Sequence, residues 1–111
     1  MPRLNASQLR TAKLLAKRLG VTVKPSTRKG KKLDVYLPSG KVVTIGHADY
    51  EDYLQHGDAQ RRRNYKSRMS GNRHKRGTAG YYADQILWPT DEALRKVGAL
   101  RSVGKRRRSR G

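Results

Sequence analysis

Positive charge in this chain comes in blocks, and every carboxylate is confined to residues 34–60 and 84–111. Residues 1–33 hold ten basic and no acidic side chains, and 34–60 hold one basic and five acidic. Residues 61–83 hold eight basic and none acidic, and 84–111 hold eight basic and three acidic. The balance is 27 Lys and Arg against 8 Asp and Glu, a formal net charge of +19. Self-repulsion on that scale calls for a counter-charge from a polyanion or an acidic neighbouring subunit, and nucleic acid is the commonest such partner. A membrane surface fits less well, because no basic segment carries a large apolar face. The central acidic stretch either neutralises a basic segment of the same chain or faces away from the polyanion, and the sequence leaves both open.

With 34% hydrophobic residues and no Phe, the core has to be built from Leu, Val, Ile, six Tyr and Trp88. A chain of 111 residues supports one such core. The expectation is one small α+β domain over residues 1–103, followed by a basic tail over 104–111, GKRRRSRG, which alone in solution is expected to be disordered. The absence of Cys rules out a disulfide framework and thiolate chemistry, and fits a nuclear or cytosolic compartment. No apolar run approaches the roughly 20 residues that span a bilayer, and the N-terminus lacks a signal-peptide core. The protein is therefore expected to be neither membrane-spanning nor secreted by that route.

Asn5 with Gln8 has the spacing of a capping box, and Leu9, Ala12, Leu15, Ala16 and Leu19 recur at helical spacing until Gly20. This predicts a helix over about 6–19, with Arg10, Lys13, Lys17 and Arg18 on its other face, either solvated or turned to phosphate. Val21 and Val23, then Leu33, Val35 and Leu37, then Val43 and Ile45 alternate with polar residues as strands do. Pro38-Ser39-Gly40-Lys41 is turn chemistry, so strands 33–37 and 42–46 should form a hairpin, alone or within a three-stranded sheet. The intervening basic loop 25–32, with Arg28, Lys29, Lys31 and Lys32, is a candidate secondary contact with phosphate. Asp58 should cap a second helix running to about Met69, with Tyr50, Tyr53 and Leu54 packed against it. Segment 70–77 is too polar and Gly-rich for regular structure. Thr78 opens a third helix that ends before Pro89, and Thr90 caps a short fourth helix stopped by Gly98.

The sharpest basic feature is Arg61, Arg62, Arg63, Lys66 and Arg68 on one helix, joined to Arg73, His74, Lys75 and Arg76. Arg donates in a fork to phosphate, and each neutralised phosphate releases counterions. Together with Lys105, Arg106, Arg107, Arg108 and Arg110 these residues are the expected contacts with a polyanion or partner protein. The competing expectation is that the Arg residues bond mainly to the chain's own carboxylates and carbonyls. His47, Asp49, Asp52, His56 and Asp58 gather imidazoles and carboxylates, but their spacing matches no zinc or two-metal signature. Asp as a helix cap and His packed on tyrosine account for them, so no catalytic residue, metal, cofactor or small-molecule substrate is expected. Tyr81, Tyr82 and Trp88 lie at helical spacing with Ile86 and Leu87, which favours core packing over stacking on bases.

Segment 46–88 resembles a family of small, basic, largely uncharacterised proteins of nucleocytoplasmic large DNA viruses, algal viruses among them. The matching runs are VVTIGH, DYEDYLQHGDAQRRRNYKSRM and TAGYYADQILW. In that pattern a glycine ends the strand and an aromatic-Asp-aromatic step precedes His and Asp, places held here by Gly46, Tyr50, Asp52, Tyr53, His56 and Asp58. An Arg pair, a Tyr and an Arg follow, matched by Arg61, Arg62, Tyr65 and Arg68, before a helix closing in Trp88. Met69 stands where the pattern has a basic or His residue, and Gln85-Ile86 where Leu is usual. The resemblance implies a virion component: a minor capsid or cement protein, or a protein between shell and packaged DNA. The expected function is thus a structural virion protein contacting other virion proteins or DNA. A ribosomal or other ribonucleoprotein component binding RNA is the alternative, and a metal-dependent nuclease centred on His47, Asp52 and His56 is the remote one.

Overall fold

The computed structural model describes residues 4–69, 71 and 75–100. Helix α1 (Ala6–Arg18) starts where the capping box predicts: Asn5 Oδ1 accepts from the Gln8 N–H at 2.8 Å, and Gln8 Oε1 accepts from the Asn5 N–H at 2.8 Å. Two orphan donors of the first turn are satisfied at once. The helix ends on Gly20 at φ +77°, where the Val21 N–H reaches back to the Ala16 carbonyl at 3.1 Å. That reversal turns Val21 under the helix and starts the sheet. Ala12, Leu15 and Ala16 are buried, while Arg10, Lys13, Lys17 and Arg18 face solvent.

Strands β1 (Thr22–Pro25), β2 (Lys31–Tyr36) and β3 (Val42–His47) form an antiparallel sheet in that order, so β2 is central. Val23 pairs with Val35, Leu33 with Ile45, and Val35 with Val43, which places the predicted apolar alternation on one face. The hairpin turns as expected over 38–41, with the Leu37 N–H bonded to the Lys41 carbonyl at 2.8 Å. Strand β2 begins two residues earlier than the alternation suggests. Main-chain pairing continues through Lys31 opposite His47, and the Ala48 N–H bonds the Gly30 carbonyl at 2.8 Å, where the polar side chains of Lys31 and Lys32 hide the strand from a hydropathy reading.

Beyond the sheet come α2 (Tyr53–His56), α3 (Ala59–Arg68), α4 (Ala79–Tyr82), a π-helical turn (Ala83–Leu87) and α5 (Asp91–Lys96). Asp58 caps α3, Thr78 caps α4 and Thr90 caps α5, each side chain accepting from main-chain N–H groups of the first turn. The predicted third helix is α only in its first half. From Ala83 it widens, with the Trp88 N–H bonding the Ala83 carbonyl at 3.1 Å, which lets Asp84, Ile86 and Leu87 all be buried before Pro89 ends it. Leu15, Val23, Leu33, Val35 and Ile45 meet Leu54, Ile86, Leu87 and Leu94 in one core between α1, the sheet and the later helices. The fold is thus the expected α+β domain, with a complete three-stranded sheet. Among the described residues no helix is long and apolar enough to cross a membrane.

Candidate polyanion groove

Helical periodicity divides the arginine-rich helix into three faces. On α3, residues 61, 65 and 68 share one side, 62 and 66 the next, and 63 a third. Arg62 and Lys66 point inward. Arg62 donates to the Pro89 carbonyl and to Asp91 Oδ1, both at 2.9 Å, and its guanidinium lies 4.1 Å from the Tyr53 ring centroid. The Lys66 ammonium meets Asp84 Oδ1 at 2.8 Å, at a carboxylate only 2% exposed. These two cations tie α3 to the segment that follows α4, as the competing expectation held. The hydrogen bond from Arg62 also holds the Asp91 carboxyl below the usual carboxylate range. Arg63 is exposed and bonds Gln60 within its own helix.

Arg61 and Arg68 lie on the outer flank, Arg61 with its guanidinium 3.7 Å from Glu51 Oε1, and they line a groove of about 590 Å³. Its other walls are the end of β3 with the segment after it (Gly46, His47, Tyr50, Glu51) and the start of α4 (Ala79, Gly80). Tyr65 and Trp88 stack at 4.2 Å with planes 4° apart and close the groove on the inside. Lys31 joins the rim from β2, so two basic segments far apart in sequence meet here. Arg28 and Lys29 are exposed in the turn that leads into Lys31. Lys75 and Arg76 are exposed before α4. Arg73, His74, Lys105, Arg106, Arg107, Arg108 and Arg110 lie outside the described residues.

Lys32 departs from its expected role as a phosphate contact. Its side chain is 1% exposed, and its ammonium bonds Asp52 Oδ2 at 2.8 Å and Gln55 Oε1 at 2.7 Å. Gln55 Oε1 also accepts the Asp52 N–H at 2.9 Å, so β2 is locked to the N-terminus of α2. Burial pushes the Asp52 carboxyl above the usual range, against the pull of that ammonium. The carboxylate also faces the first turn of α2 in a capping box with Gln55, and the main-chain N–H groups of Gln55 and Leu54 join Lys32 in drawing its pKa down. Helix α2 and this ion pair were missed in the sequence, although Asp52 and Gln55 have capping-box spacing and Gly57 follows as a stop.

The remaining imidazoles and carboxylates disperse. His56 Nδ1 accepts the Asp58 N–H at 2.8 Å, which places the ring proton on Nε2, and the ring packs 5.3 Å from Trp88 and 6.0 Å from Tyr53. Burial first, and the nearby Arg61 guanidinium second, lower its pKa to about 4. Asp58 is held below the usual range chiefly by the Arg61 N–H it caps. His47 and Asp49 approach at 3.9 Å in solvent. Tyr50, expected to pack against α3, is instead 69% exposed and tilts on His47 at 4.9 Å, because α2 occupies the position over α3 with Tyr53 and Leu54. Tyr82 is buried with Tyr81 edge-on to it at 5.0 Å, and Trp88 is partly buried between Tyr65 and His56 and packs on the core, in keeping with core packing.

Residues 21–69, from the start of the sheet to the end of α3, match the family model of DUF5754, a family of unknown function. That span contains Lys32, Asp52, Gln55, Arg61 and Arg68, and the α4 wall of the groove lies after it. Searches of curated proteins and of solved structures return no match.

Proposed function

We propose that this chain is a non-catalytic structural protein of a viral particle, a minor capsid or cement protein that holds packaged nucleic acid or acidic protein surfaces through its basic face. The observation that carries the polyanion reading is the use made of the carboxylates. Five of the eight acidic side chains are paired with Lys or Arg of the same chain: Glu51, Asp52, Asp84, Asp91 and Glu92. Asp58 caps α3 and Asp34 is buried. The fold consumes its own negative charge as structure, and the excess of +19 stays for a partner. The placement in a virion rests on the resemblance of segment 46–88 to proteins of large DNA viruses.

Quantitative mass spectrometry of purified particles, extracted stepwise with salt and nuclease, tests the reading. Retention with the nuclease-stripped shell supports a capsid role, and release with nucleic acid supports a packaging role. Absence from particles would overturn the virion placement and favour a ribonucleoprotein. Replacing Arg61, Arg63 and Arg68 together by Ala should reduce incorporation.

A further inference from the structure

Strand β3 is one edge of the sheet and, among the described residues, pairs only with β2. The Leu37 N–H bonds the Lys41 carbonyl at 2.8 Å, which fixes the parity of the ladder. Val35 with Val43 and Leu33 with Ile45 are then the pairs that exchange hydrogen bonds, so the N–H and C=O groups of Val42 and Thr44 point away from β2. Among the described residues they meet no main-chain partner there. Exposed edges are normally guarded by charge, by Pro or by a covering element. The β1 edge follows that rule with Lys24 and Pro25, and α1 packs against it. Strand β3 reads VVTIGH, with no Lys, Arg, Asp, Glu or Pro and with four β-branched residues in a row. Val42 is 47% exposed, and Tyr36, opposite it on β2, is 38% exposed. Leu87 packs against the far end at Gly46, so the open stretch is 42–44.

We infer that the β3 edge takes an extended acidic segment of a partner protein as a fourth strand, its main chain paired with Val42 and Thr44 and its carboxylates turned to Arg61 and Arg68. The inference rests on the polyanion reading and gives the acidic-protein partner its binding mode. Thr44 and Gly46 share the groove with those two arginines, so a strand laid along β3 carries side chains into the basic rim. At the hairpin end, Val42 and Tyr36 offer an apolar step for the segment to cover. A strand edge presents donors and acceptors in alternation, and a peptide main chain supplies the complement at strand spacing. A phosphate backbone brings acceptors alone, so it reaches the arginines and leaves the Val42 and Thr44 carbonyls to solvent. A second copy of this chain has the main chain but sets +19 against +19.

The full chain should be titrated with a capped peptide of about eight residues, long enough to run along β3, in which valine leads alternating threonine and glutamate. Amide hydrogen exchange followed residue by residue reports the edge directly. Binding should slow exchange at Val42 and Thr44 by about tenfold or more, whereas an oligodeoxynucleotide of equal charge should leave both rates unchanged. N-methylation of the peptide at alternate residues removes main-chain donors without touching its charge and should weaken binding by about tenfold. Val42→Pro removes an outward N–H without taking a bond from the β2–β3 ladder. Checked for an unchanged melting temperature, this variant should bind the peptide more weakly by a similar factor, about tenfold. Equal affinity for the methylated and unmodified peptides, unchanged exchange at Val42 and Thr44, or binding of the oligodeoxynucleotide alone would overturn the strand site and leave the polyanion reading standing. Protection of those two amides that rises with protein concentration alone would also overturn it, by giving the edge to a second copy. Binding of neither peptide nor oligodeoxynucleotide would overturn both.

Discussion

Gly46 occupies the one position in β3 where a side chain has nowhere to go. Its φ is +82°, and a Cβ there would lie 2.8 Å from Leu87 Cδ1 and 3.0 Å from Lys32 Cβ. Gly46→Ala combines left-handed strain with a clash against packed atoms and should cost about 2–4 kcal/mol, read as a lower urea midpoint. Gly40→Ala meets nothing within 4 Å and should cost about 1 kcal/mol, for strain alone. The Lys32–Asp52 pair behaves differently. Lys32→Met leaves a buried carboxylate unopposed and should cost about 3 kcal/mol, and pairing it with Asp52→Leu should recover much of the loss, because two apolar groups replace two desolvated charges. His56 sets the acid limit. It stays neutral in the fold down to about pH 4, whereas in the unfolded chain it takes up a proton below about pH 6.5. The unfolded state therefore binds more protons between those values, and stability is complete above about pH 6.5 and falls as the pH drops towards 4. His56→Gln should flatten that part of the stability profile measured by denaturation across pH.

At the scale of elements, α3 separates what stabilises the domain from what it presents. Arg62→Ala removes bonds to Pro89 and Asp91 and the contact with the Tyr53 ring, and should cost about 1–2 kcal/mol. Arg63→Ala on the outer face should change stability by less than about 0.5 kcal/mol, and thermal unfolding of the two variants separates these outcomes. The sequence announces α1, α3 and α5 because each opens on a polar cap and follows a helical period, and the hairpin because Pro, Ser and Gly dictate its turn. It conceals α2, whose four residues are too few to show a period, and the π-helical turn, whose extra residue is needed only when Asp84 reaches Lys66 while Ile86 and Leu87 reach the core. The basic cluster is legible as a cluster. Its division into inward and outward members depends on where Asp84, Pro89 and Asp91 come to rest, and that is set by tertiary packing. Lys32 misleads for a related reason: in a basic run nothing distinguishes the one lysine whose partner, Asp52, lies 20 residues further on.

For the whole molecule, we propose that the anionic partner is held on the face where α3, the β1–β2 turn and α4 meet, rather than on the basic face of α1. Five of the eight acidic side chains are held in internal pairs with Lys or Arg, so partner affinity should depend steeply on salt, with counterion release supplying most of the free energy. The most direct test is the affinity of the full chain for a short nucleic-acid strand across a salt series, comparing the unmodified chain with Arg61→Ala/Arg68→Ala and with Lys13→Ala/Lys17→Ala. The groove pair should lower the magnitude of the log–log salt slope by about 1–2 and weaken binding throughout, while the α1 pair should leave the slope nearly unchanged. Equal losses from the two pairs, or an affinity indifferent to salt, would contradict it.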